Sequence, residues 1–157
     1  TVTAGNASGV VVMPVLAGDD VRPAEAGNVV LVRHFRHATR SWHLEFPRGF
    51  GTPGSHPDDD ARTELREEIG AVSARLVDLG LVYADSGLSG TPVKLYFAEI
   101  TTFAGPEAAE GITAVELVSP DRLAALIRDG EITDGFTINA YTRALLRGLV
   151  PAPTIGS

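Results

Sequence analysis

The chain contains no cysteine, one lysine (Lys94), one tryptophan (Trp42) and one methionine (Met13). Without cysteine there is no disulfide framework, no thiol nucleophile and no thiolate zinc site. No run of about 18 apolar residues occurs, which excludes a membrane-spanning helix. Positive charge is scarce as well: 13 Lys and Arg stand against 20 Asp and Glu, a formal net charge of -7. A nucleic-acid surface needs the opposite balance, so the expected partner is a small molecule, and an anionic one only where a cation mediates. His34, His37, His43 and His56 lack a metal-ligand spacing and read as structural or surface residues.

What is present suits one globular domain. Hydrophobic residues make up 44% of 157 positions, enough for a single core. Residues 1–8 are small and polar and are expected to be flexible, 9–149 to form the domain, and 150–157 to be a flexible tail. Apolar runs predict strands at Val10–Leu16, Val29–Phe35, Trp42–Phe46, Leu76–Tyr83, Val93–Ile100 and Thr113–Val118. Ser119-Pro120 opens a helix carrying Leu123, Leu126 and Ile127 on one face, and a last helix runs from about Thr137 to Arg147. The pattern is α/β, a mixed sheet covered on both sides.

Between the third and fourth predicted strands lies GFGTPGSHPDDDARTELREEIGA, residues 49–71. Ser55 or His56 can cap a helix, Pro57 fits its first turn, Asp58, Asp59 and Asp60 suit the positive end of the dipole, and Gly70 can end it. Ala61, Leu65 and Ile69 then form an apolar stripe that can anchor the helix. Beside it Glu64, Glu67 and Glu68 fall on one face, adjacent turns apart. Three neighbouring anions repel one another, so a helix that keeps them together suits a hard divalent cation between them, although an isolated ExxEE more often only faces water.

The whole segment resembles the Nudix box, G-x5-E-x7-R-E-U-x-E-E-x-G-U with U a bulky aliphatic residue. Gly49 fits the first glycine, Glu64-Leu65 the E-U pair, Glu67-Glu68 the E-E pair and Gly70 the last glycine. Ser55, Thr63 and Ala71 depart, standing where the family has a glutamate, an arginine and the closing aliphatic residue. The missing glutamate and arginine form a supporting ion pair in the family; because both are absent, no unpaired charge remains. The resemblance implies an α/β/α sandwich with a mixed sheet, the box helix packed against it. It also implies Mg2+ or Mn2+ held by Glu67 and Glu68, by Glu64, which in some members acts on the attacking water, and by a backbone carbonyl near Arg48.

The flanks are similar to the ADP-ribose and nucleotide-sugar pyrophosphatase group. VVLVRHFRHATRSWHLEFPRG leads into the box with Arg36, Glu45, Pro47 and Gly49 in register. There the arginine contacts the diphosphate and the glutamate lines the metal or substrate site, while Trp42 is placed either for base stacking or as an edge-strand aromatic. Downstream, an acidic loop in that group supplies the general base, which puts Glu110 first and Glu107 second. One marker is absent: Ser86 stands where ADP-ribose pyrophosphatases carry a proline.

The implied function is metal-dependent hydrolysis of a pyrophosphate bond in a nucleoside diphosphate linked to another moiety. Dinucleoside polyphosphates are an alternative substrate, and a catalytically silent nucleotide sensor an alternative role. A cytoplasmic protein, possible as a homodimer, without a nucleic-acid or membrane partner, is the expected setting; the arginine-over-lysine bias is common in GC-rich bacterial genomes.

Overall fold

The computed structural model describes residues 9–18, 21–104 and 112–154. Strand β1 (Gly9–Leu16) is buried along its whole length, because both of its faces are covered. Val11, Met13 and Val15 enter one core with Leu123, Leu126, Ala140 and Ala144, whereas Val10, Val12 and Leu16 enter a second with Ala61, Leu65 and Ile69. The period-2 alternation of one valine-rich strand thus builds both layers. Helix α1 (Pro57–Ile69) covers the second core, and α2 (Pro120–Arg128) with α3 (Gly135–Leu146) covers the first. The result is the α/β/α sandwich with a mixed sheet.

Around β1 the sheet forks. On one side β1 runs parallel to β6 (Val93–Ile100), which is antiparallel to β5 (Ser73–Val82). On the other side it meets β2 (Val29–Arg36) at Val15–Val29, then diverges. The gap is filled by one bent stretch of chain: β3 (Ser41–Glu45) pairs with β2, and after Phe46-Pro47 the short β4 (Arg48–Phe50) pairs with β1 at Gly9, Val10 and Val11. The outer edge of β2 carries β7 (Ile112–Val118). Val12 N donates to Pro47 O at 3.0 Å and Leu16 N to Asn28 O at 2.9 Å, both across the fork. Alternation aims the nitrogen of Pro14 at the same gap, where the missing N–H orphans no acceptor.

Helix α1 starts where His56, rather than Ser55, caps it, its Nδ1 accepting from Asp58 N at 3.1 Å. It ends at Gly70, whose φ of 64° lets Gly70 N reach Arg66 O and Ala71 N reach Leu65 O. Ala71, small where the box has a bulky aliphatic residue, is buried in the second core.

Element bounds shift by up to three residues, β5 starting at Ser73 rather than Leu76, and two features depart further from the sequence reading. Strand β4 was not anticipated: three residues that include Arg48 and Gly49 carry no strand signature, and only pairing with β1 makes them one. The expected loose tail is packed at its start, with Val150 buried in the first core and Thr154 N donating to Asp121 Oδ1 at 3.0 Å. Residues 1–8 and 155–157 lie outside the described residues.

Candidate active site

Strand β4 brings the glutamate face of α1 to the sheet. Gly49 sits so close to Glu64 that a Cβ there would fall 2.0 Å from the carboxyl carbon, so any side chain at 49 would displace the Glu64 carboxyl. One turn on, Glu68 Oε2 accepts from Arg48 N at 3.0 Å. Glu64 and Glu68 therefore both press on the β4 backbone, while Glu67 is exposed at the flank. Ser55, in place of the box glutamate, has its hydroxyl 2.6 Å from Asp60 Oδ1 and 2.7 Å from Thr52 O, its one proton shared between the two, which ties the glycine-rich loop to α1 without an ion pair.

Burial, then Glu67 and then Asp60, push the Glu64 carboxyl up to about 7. Burial, opposed by the Arg48 N–H and reinforced by Glu64, pushes Glu68 up to about 8. Such carboxyls suit a bound cation, which would restore their charged forms. The donor set is all oxygen, as Mg2+ or Mn2+ prefers. Backbone alternation adds to it: Pro47 O faces β1 and Gly49 O lies against Gly9, so the Arg48 carbonyl shares the side on which Arg48 N meets Glu68. Among the described residues no group of three or more His, Asp or Glu side chains is arranged so that it could hold a metal ion, so Glu64, Glu67 and Glu68 would have to reorient to share one.

These shifts predict an unusual pH dependence of stability. A carboxyl raised by folding favours the native state when protonated; its contribution is whole below the unfolded carboxylate range and is lost as pH rises through the folded value. The metal-free protein is expected to melt at progressively lower temperature as pH rises from about 4.5 to about 8 and to level off above that, with the share of half-exposed Glu64 reduced by solvent. Divalent cation should restore the loss by binding the native state. Thermal melts in chelator that stay flat or rise over this window would show that the two carboxyls are not held protonated.

On the other side of Arg48 and Gly49 opens a cleft of about 610 Å3, lined by His34, Arg36, Arg48, Phe50, Thr91 and Phe136 among others. Its cationic wall is a chain of alternating charge. Buried Glu45 accepts from Arg36 Nε at 3.1 Å and Arg36 Nη2 at 2.5 Å, with Arg48 Nε at 3.5 Å. Arg48 Nη1 donates to Asp134 Oδ1 at 3.0 Å, and its guanidinium lies 5.5 Å from the centre of the Phe136 ring. Asp134 also caps α3 by accepting from Thr137 N at 3.0 Å, and Thr137 Oγ1 accepts from Phe46 N at 3.1 Å. Both arginines are thus held by carboxylates, buried Glu45 and partly buried Asp134, and guanidinium forks fixed in this way suit an anionic ligand.

Of the residues singled out by sequence, Glu64, Glu68, Arg48, Arg36 and Glu45 assemble around β4. Trp42 does not join them. It pairs with Phe35, ring centres 5.3 Å apart, and strand alternation puts it on the side of β3 opposite Glu45. Glu107 and Glu110 lie outside the described residues. Sequence reasoning gave no site role to Asp134, although it stands in an Asp-Gly-x-Ile-x-Asp-x-x-Thr pattern, to Phe136, or to His34, whose strand position gave no sign that it faces a cleft.

The fold and this loop-helix arrangement define the class. The NUDIX domain family profile matches residues 8–137, and the chain belongs to that family. Over 75 residues it is 28% identical to an ADP-ribose pyrophosphatase of Bacillus subtilis (strain 168), a stretch covering 48% of this chain and 40% of that protein's length. The crystal structure of an ADP compounds hydrolase superposes with a TM-score of 0.69 at 20% identity, over 90% of this chain and 74% of that one, a likeness of fold.

Proposed function

We propose that this chain is a Nudix hydrolase that cleaves a pyrophosphate bond in a nucleoside diphosphate linked to another moiety, ADP-ribose-like or nucleotide-sugar-like, with Mg2+ or Mn2+. One observation carries the reading: Glu64 and Glu68, both raised above the carboxylate range, meet the same β4 backbone whose Arg48 lines a cleft with Arg36. A bound divalent cation supplies charge neutralisation of the diphosphate and acidification of a water. Glu68 and Glu67 would hold it, with Glu64 and the Arg48 carbonyl completing the set. Arg36 turns its guanidinium edge to the phosphate oxygens while Glu45 fixes its plane. A proton leaving the attacking water has three candidate acceptors: Glu64 beside the cation, and Glu110 or Glu107 from the segment that precedes β7 in sequence. A homodimer in a cytoplasmic setting belongs to the same reading.

The relative's name favours ADP-ribose, and Ser86 in place of the proline marker weighs against it. A panel of ADP-ribose, nucleotide sugars and dinucleoside polyphosphates with Mg2+ or Mn2+ decides, read by separation of the two phosphorylated products. Release of two nucleoside or sugar monophosphates is expected from at least one substrate of the first two classes. No turnover of any of them at millimolar metal, with nucleotide still bound, would replace the hydrolase by a sensor.

A further inference from the structure

His34 stands on β2 two residues before Arg36, and both side chains line the cleft. Its Nδ1 lies 2.8 Å from Phe35 O. A carbonyl oxygen can only accept, so Nδ1 carries the proton and the tautomer is fixed, leaving Nε2 as a bare acceptor. Among the described residues nothing donates to that Nε2. Burial first of all, and then the positive charges of Arg36 and Arg48, outweigh the Phe35 bond and Glu45 and hold the ring below the ordinary histidine range, so it is neutral at pH 7. In a wall otherwise supplied with guanidinium donors, His34 contributes an acceptor.

We propose that His34 Nε2 reads a sugar: it accepts a hydrogen bond from a ribose hydroxyl of the nucleoside diphosphate whose phosphates lie on Arg36. The spacing supports a hydroxyl next to the diphosphate, since side chains two apart on a strand stand about 6 to 7 Å apart on one face, roughly the reach from a phosphate to the hydroxyls of its own ribose. This rests on the diphosphate reading above. A neutral acceptor discriminates strongly against a ligand with nothing to donate, because its lone pair is then buried unpaired.

The test is calorimetric binding of ADP, 2′,3′-dideoxy-ADP and IDP in one Mg2+-containing buffer, to the wild type, His34→Leu and His34→Gln. Wild type should bind ADP roughly 3- to 10-fold more tightly than the dideoxy compound. His34→Leu should bind the two equally, and His34→Gln, whose amide oxygen can accept, should regain part of the preference. An unchanged preference in His34→Leu, or none in the wild type, overturns the assignment while the hydrolase reading stands on the substrate panel. A wild-type preference for ADP over IDP that vanishes in His34→Leu also overturns it, because the donor would then be the base amine. Failure of every nucleotide to bind, together with no turnover in the panel, would instead remove the diphosphate reading itself.

Discussion

Replacing Gly49 by alanine is expected to lower kcat about 100-fold while leaving the fold nearly as stable as before. The new methyl would stand 2.0 Å from the Glu64 carboxyl carbon, a distance no Cβ tolerates, so something must move. The obstructing atoms are the tip of a flexible side chain, and Glu64 can swing away by rotating about its own bonds. Displacement is therefore cheap in stability and expensive in function, since it removes one carboxylate from a site that works by position. A misplacement of about 1 Å can by itself lower a rate about 100-fold. In a strand, alanine in place of glycine is neutral or mildly favourable to the backbone, so the melting temperature should move by only a few degrees. Steady-state kinetics and thermal melts on one preparation check both halves. Normal activity would mean that Glu64 does not act from the position it occupies beside β4, and a collapse of the fold would mean that the close contact is structural.

Glu68→Gln is the second large effect, a loss of about 100-fold or more in kcat with a weaker apparent affinity for Mg2+ or Mn2+. The substitution keeps the size of the side chain and an oxygen able to accept from Arg48 N, which isolates the charge as the cause. Glu68 is the most buried of the three box glutamates, and its neutral form is already favoured at neutral pH in the absence of a cation. The glutamine variant should for that reason fold as well as the wild type, or slightly better in chelator at high pH, since it no longer has a carboxyl to deprotonate. Activity near wild type at saturating metal would remove Glu68 from the ligand set. An unchanged metal dependence with a large fall in kcat would move its role from holding the cation to acting on the proton.

Helix α1 could be read almost to the residue, because its determinants are local. Pro57 and the three aspartates mark the entry, Gly70 marks the exit, and Ala61, Leu65 and Ile69 mark the buried stripe. The long strands β1, β2 and β6 were legible for the same reason, as apolar runs bounded by turns. Strand β4 was not: its pairing with β1 depends on the divergence of β1 from β2, a property of the sheet rather than of Arg48-Gly49-Phe50. Val150 followed the opposite course, a hydrophobic residue in a Pro-rich tail that reads as loose until the first core is seen to need it.

The same division runs through the site. Sequence alone determined that three glutamates share one helical face behind a glycine, because the helical period is fixed by covalent geometry, and its resemblance to the family put Arg36 and Glu45 at matching positions upstream. Only the tertiary structure decided what those residues meet. It set Glu64 against Gly49 and Glu68 on the Arg48 amide, and joined Arg48 to Asp134 across 86 positions of chain. It turned Trp42 away from Glu45 and His34 into the cleft. Distances of that kind depend on how a forked sheet closes around one short strand, and no local period encodes them.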